Sequence, residues 1–333
     1  MSSSPRDEHR PDDQHRPDDQ HRLDVDLVGL VSPTEERNPA SAALDTLPAR
    51  GIVDVILAED ATVAAAVQAQ AQAIGELVET CVAAIAAGRT VHYVGAGTSG
   101  RLAVLDAVEL APTFDADPSM ITAHLAGGPG AFLTAVEGAE DSAVQGAELV
   151  ATECREGDVV IGLAASGRTP FVRGALEAAR AAGMPTALIA ASPHAALAPL
   201  ADHPILLDLG PEVITGSTRM KAGTAQKLAL NALSTATMVR LGTTFGNLMI
   251  QVRPTNAKLV ARTVRMLVQA SGVAPEEAAR VLEAAGGSVR VALVALLAGA
   301  DVDAARAALE DFPRDPHRAG DPAGIRSAVA ALA

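Results

Sequence analysis

Two stretches of similar design, TVHYVGAGTSGR at residues 90–101 and DVVIGLAASGRTP at residues 158–170, decide how this chain folds. Each opens with a short apolar, β-branched run and closes on glycine beside serine or threonine. A run of that length, bounded by turn residues, reads as a buried strand. Outward from these two, MITAHLA (120–126), PTALIAA (185–191) and PILLDL (204–209) supply three more strand candidates. Helical patterns follow GAGTSGR to about residue 111 and recur at about 141–154, 169–182 and 219–241. Strands that alternate with helices and are apolar almost throughout predict an α/β fold, a parallel sheet flanked by helices on both faces. Ligands of such sheets bind outside the carboxyl ends of the strands.

Upstream, residues 58–88 predict one long Ala-rich helix, with Val63, Val67, Ile74, Val78 and Val82 at helical spacing and Gly88 as its stop. Before it, SPTEERNPASAALDTLPAR (32–50) reads as an ordered arm of short helices, with a start at Thr34, Glu35 and Glu36. Downstream of residue 255 the pattern is helical only. One amphipathic helix ends at Gly272, and 275–285, 288–298 and 301–312 predict a small C-terminal three-helix bundle. The domain boundaries follow: a tail at 1–24, the α/β unit with its arm at 25–255, the helical segment at 256–312, and an extension at 313–333. In the tail, HRPDDQ occurs at 9–14 and again at 15–20. It is an acidic repeat with no hydrophobic period, which predicts disorder.

Composition narrows the function classes. Aromatic residues make up 2% of the 333 residues and the formal net charge is −14. A single-strand nucleic-acid binder needs stacking platforms, and a backbone binder needs a basic face, so nucleic acid is a poor partner. No apolar run is long enough for a membrane helix, and the N-terminus lacks the apolar core of a secretory signal. The expected location is cytoplasmic. Two cysteines, Cys81 and Cys154, cannot build a disulfide framework or a cysteine-based metal cluster. No metal site and no cofactor is expected.

The two loops are phosphate-sized. Glycine lets the backbone approach a ligand, and the first amides of the following helix favour an anion. Gly97, Thr98, Ser99 and Gly100 in the first loop, and Ser166, Gly167, Arg168 and Thr169 in the second, are the candidate binding residues. GAGTSG has the glycine spacing of the dinucleotide fingerprint, but no acidic residue follows the second strand in the expected setting about 20 residues on, and no phosphate-loop lysine is present. A sugar phosphate is therefore favoured over a nucleotide. A third stretch, TGSTRMKAGTAQK (215–227), adds Ser217, Thr218, Arg219 and Lys221. Ser217 or Thr218 is a candidate cap for the helix that follows, and Arg219 and Lys221 are candidate cations for an anionic ligand. His92 and His124 fall inside strands and read as structural. His194 reads as a loop residue.

These residues carry a pattern. GAGTSGRLAVLDAVELAPTF, AVEGAEDSA, DVVIGLAASGRTPFV, TGSTRMKAGTAQKLALNALSTA, FGNLM and the TEERNPAS arm resemble the N-acetylmuramic acid 6-phosphate etherases, over about residues 30–312. The resemblance implies a sugar-isomerase (SIS) type sheet and a C-terminal bundle of ubiquitin-associated-like form. It also implies a homodimer with its active site near the subunit interface, and no cofactor. The implied reaction cleaves the D-lactyl ether of a sugar phosphate, giving N-acetylglucosamine 6-phosphate and D-lactate in cell-wall recycling. The family's two active-site glutamates fall on Glu109 and Glu140. Val108, Leu110 and Ala111 depart from the family pattern around Glu109.

The ether is a poor leaving group until the sugar opens to its C1 aldehyde, which makes the C2 proton acidic. Two acid/base groups then suffice. Glu109 lies toward the C-terminal end of its helix among apolar residues, which disfavours its charged form and suits an acid. Glu140 precedes a helix, which suits a base. Either can take the C2 proton. Two rivals share the loops: a sugar-phosphate isomerase, and a non-catalytic sugar-phosphate-sensing regulator. Release of D-lactate separates the etherase from both.

Overall fold

The computed structural model describes residues 32–251 and 257–333. The repeat expected at 1–24 lies outside the described residues. Five short runs form a parallel sheet: β1 (Val91–Gly95), β2 (Ile121–Leu125), β3 (Val159–Leu163), β4 (Thr186–Ala190) and β5 (His203–Leu206). The order is β2-β1-β3-β4-β5. β1, β3 and β4 are buried at every position, as strands covered on both faces must be.

Alternation along each strand divides the core in two. Val91, Tyr93, Val159, Ile161, Leu163, Ala187 and Ile189 face one side. There they meet α3 (Ala71–Ala86), α4 (Gly97–Phe114) and α7 (Lys221–Arg240). Val94, Val160, Leu188 and Ala190 face the other side. They are covered by α5 (Ala143–Glu153) and α6 (Pro170–Ala181). α5 and α6 touch backbone to backbone. A Cβ on Gly146 would lie 1.9 Å from the Phe171 carbonyl oxygen, and one on Gly174 would lie 1.8 Å from that of Ala143.

The stretch expected as one helix at 58–88 is three: α1 (Ala49–Asp60), α2 (Val63–Gln68) and α3. No proline or glycine breaks it. The Thr62 hydroxyl instead donates to Glu59 O at 2.8 Å, and such a local bond competes with the helical ladder. The valines and Ile74 still reach the core. α4 runs past its expected end near residue 111, through Pro112, and stops at Asp115, whose φ is 49°. Pro112 removes one donor beneath Val108, which is exposed, so water can satisfy the carbonyl left over. The arm is three single 3-10 turns at Pro33–Glu35, Pro39–Ser41 and Leu44–Thr46.

After α7 comes a two-residue hairpin, β6 (Thr244–Phe245) and β7 (Leu248–Met249). Then α8 (Ala257–Ser271) leads to α9 (Pro275–Ala284), α10 (Val289–Ala298) and α11 (Val302–Asp311), close to the helices read from sequence. The segment read as an extension adds α12 (Ile325–Leu332), whose Ile325 and Ala328 join the core of these helices. Asp321 starts α12 by accepting from the amides of Arg326 and Ser327. Among the described residues no helix is long and apolar enough to cross a membrane.

Candidate active site

The register pairs Gly95 with Leu163, so the GAGTSGR and AASGRTP loops leave adjacent parallel strands at the same end. The third stretch comes to them through α7. A Cβ on Gly223, in the first turn of α7, would lie 3.5 Å from Thr98 Cγ2. The candidate phosphate residues of all three stretches therefore share the carboxyl end of the sheet.

Within the first loop the residues divide. Gly97 has φ 53° with open space around it and lines a cavity. Thr98 is half-buried. Ser99 is turned inward, donating its hydroxyl to the buried Gln226 Oε1 at 2.9 Å. A hydroxyl has one proton, so Ser99 holds none for a phosphate in this structure, contrary to its expected role as a donor. Gly100 is a packing glycine. A Cβ there would lie 2.4 Å from Leu125 Cδ1 and 2.6 Å from the Gly95 carbonyl oxygen.

The second loop keeps its donors. Gly167 has φ 68°. Thr169 precedes α6 without capping it, so its hydroxyl is not used there. Arg168 Nε is buried with no hydrogen-bond partner among the described residues. An unsatisfied buried guanidinium nitrogen at the head of a helix is the donor an incoming anion would satisfy.

The third stretch differs most from expectation. Neither Ser217 nor Thr218 caps α7. Glu212 does, accepting from Lys221 N at 3.0 Å and Ala222 N at 2.9 Å. The Lys221 side chain is 2% exposed and its ammonium donates to Glu59 Oε2 and Leu209 O. Its charge is committed inside the protein, because an unpaired buried ammonium is costly. Lys227 pairs with Asp106 at 3.2 Å. Arg219 is exposed and, among the described residues, is the cation of the stretch with no such partner. The arm underlies this loop: Gly216 N donates to Thr34 O, and the Ser41 hydroxyl to Val213 O.

Glu140 is exposed and lines a cavity of about 310 Å³ at the ends of β1 and β2, together with Gly97, Arg101 and Glu137. Arg101 was not singled out in the sequence. Its guanidinium donates to the Ala131 and Phe132 carbonyls and holds the turn that leads to Glu140. Its position just after GTSG was the available signal.

Glu109 does not join them within one chain. It lies twelve residues beyond Gly97 on α4, about 18 Å at 1.5 Å per residue. It is exposed beside Val108 and Leu105, which are 59% and 39% exposed. A separate apolar cavity of about 430 Å³, between α4 and the edge strand β2, is lined by Val104, Val108 and Ala111.

His92 and His124 are structural in contact. His92 Nε2 lies 3.2 Å from Asp158 Oδ2, and its Nδ1 lies 2.9 Å from His124 Nε2.

The chain matches the family model of the glucokinase regulatory protein N-terminal SIS domain over residues 73–180 and that of the SIS domain over 136–236. An N-acetylmuramic acid 6-phosphate etherase from Cutibacterium acnes is 48% identical over 84% of this chain and 93% of its own length. One from Thermobifida fusca is 51% identical over 80% and 87%. One from Mycolicibacterium smegmatis is 48% identical over 90% and 97%.

Proposed function

The chain belongs to the N-acetylmuramic acid 6-phosphate etherases, and from that premise we propose how its residues carry out the reaction. The enzyme is a carbon–oxygen lyase. It removes the D-lactyl group from N-acetylmuramic acid 6-phosphate, giving N-acetylglucosamine 6-phosphate and D-lactate, a step in amino-sugar and cell-wall recycling. A phosphorylated sugar does not cross membranes unaided, which supports a cytoplasmic reaction.

The phosphate sits against the second loop, where Ser166, the Gly167 amide, Arg168 and Thr169 offer donors at the start of α6. Gly97 and Thr98 close on it from the first loop. Arg219 meets the lactyl carboxylate. The open-chain aldehyde makes the C2 proton removable. One carboxylate takes that proton, the C3–O bond breaks, and the second carboxyl group protonates the departing lactyl oxygen. Water then adds at C3 of the unsaturated aldehyde, and a proton returns to C2.

The observation that carries this reading is that Glu140 shares a cavity with Gly97 and Arg101 at the strand ends. The second carboxyl group comes from another copy of the chain. One chain holds Glu109 about 18 Å along α4 from that cavity. The face around Glu109 is apolar and open. Packing a second copy on it removes apolar surface from water. We therefore read the enzyme as a homodimer with composite sites.

The test is incubation with N-acetylmuramic acid 6-phosphate in isotopic water. Solvent hydrogen should enter C2 and solvent oxygen C3 of the product, with D-lactate released. Lactate carrying the solvent oxygen label would place cleavage on the other side of the ether and overturn the scheme.

A further inference from the structure

Away from the proposed active site lies another cavity, of about 500 Å³. It sits where the C-terminal end of α7 meets the β6–β7 hairpin and the segment before α12. Lys221 begins α7 beside the loops, and Arg240, nineteen residues on, lines this cavity about 28 Å away along the helix. Arg318, Arg326 and His317 line it with Arg240, and no carboxylate is among its lining residues. Three guanidinium groups around one recess are unusual in a chain of net charge −14.

Each guanidinium is oriented by a backbone carbonyl. Arg240 Nη2 donates to Pro316 O at 2.9 Å, Arg318 Nη1 to Pro313 O at 2.7 Å, and Arg326 Nη1 to Gly320 O at 3.0 Å. Arg326 also lies 4.8 Å over the Phe245 ring, and Arg318 5.9 Å over Phe312. Arg240 is paired with Glu79. Arg318 and Arg326 have no carboxylate within ion-pair distance among the described residues. These bonds use one donor each of Arg318 and Arg326 and two of Arg240, and a guanidinium has five. Positive charge is crowded here: burial, and then Arg314, push the neighbouring Arg290 down to about 10, with Arg318 adding to the effect and Asp321 opposing it.

We propose that this cavity is a binding site for a phosphorylated small molecule, held through its phosphate by Arg240, Arg318 and Arg326. The planar forks suit bidentate contact with phosphate oxygens. Ala319 and Gly320 leave the wall open to close approach, and the volume suits a molecule of metabolite size. The proposal does not depend on the etherase assignment.

The experiment uses the full chain, with inorganic phosphate and pyrophosphate as probes at low ionic strength. Calorimetry measures affinity, and the Nε–Hε NMR signals of Arg318 and Arg326 locate the bound probe. Both signals should shift on titration. Arg318→Gln should weaken binding, but it also loses a hydrogen bond to the fold. Ala319→Glu removes no bond and adds a negative charge to the wall. It should weaken pyrophosphate by about tenfold or more with an unchanged melting temperature. Unmoved arginine signals would overturn the proposal. So would pyrophosphate binding that survives Ala319→Glu but is lost in Thr169→Ala, which would assign the anion to the other end of α7.

Discussion

Lys221 Nζ donates to Glu59 Oε2 at 2.7 Å and so joins the start of α7 to the end of α1 across 162 residues of sequence. Asn38 of the arm donates to the same carboxylate oxygen at 2.8 Å. One carboxylate therefore ties the arm, the first helix and the loop before α7 into a single support for the third candidate stretch. Glu59→Gln leaves a nearly buried ammonium without a counter-charge and should cost about 3 kcal/mol, read as a lower urea midpoint. The Lys221 hydrogen bond holds the Glu59 carboxyl below its ordinary 4.5. The native protein has this stabilisation in full above that value and loses it as pH falls through the folded-state value. An unchanged midpoint in the variant would show the pair to be idle.

The proposed composite sites make a prediction about mixtures. Glu109→Gln and Glu140→Gln should each be inactive alone. When the two are unfolded and refolded together, a mixed dimer carries one site with both native glutamates. Statistical pairing should return about a quarter of native activity. If both glutamates of a site came from the same chain, the mixture would stay inactive.

Ser99 should act on stability more than on substrate affinity. Ser99→Ala leaves the buried Gln226 Oε1 without its donor, at a cost of about 1–3 kcal/mol. KM should change less than in Thr169→Ala. A large rise in KM with an unchanged melting temperature would return Ser99 to the set of phosphate donors.

The His92–His124 pair predicts an acid-sensitive edge. With Asp158 accepting from His92 Nε2–H, His92 Nδ1 accepts from His124 Nε2–H, so the His92 ring is held neutral. Burial, and then His92, push His124 down from 6.5 to about 4. As pH falls from 6.5 to 4 the unfolded chain takes up the proton and the folded chain does not. Stability should drop over that window, by about 3 kcal/mol at its lower end. His124→Gln should flatten the dependence. Parallel pH profiles of urea midpoints for the two proteins would contradict this.

Strand ends, loops and helix identities were legible in residues 90–240 because each is a local property: apolar runs, glycines beside hydroxyls, helical spacing. The break at Thr62 was not, since a hydroxyl bond to Glu59 O leaves no mark in the hydrophobic period. Nor was α12, which depends on Asp321 capping its first amides and on Ile325 finding a core made by other helices.

The candidate site shows the same division. Residue types and their order were enough to mark Glu109, Glu140 and the two loops, because their chemistry belongs to the side chains themselves. Which side chains are free to act was decided by partners distant in sequence: Gln226 takes the Ser99 proton, Glu59 takes the Lys221 charge, and Glu212 takes the cap expected of Ser217 or Thr218. Hydrogen bonds and ion pairs between remote segments exist only once packing has brought them within 3 Å or so, and no local pattern encodes that approach.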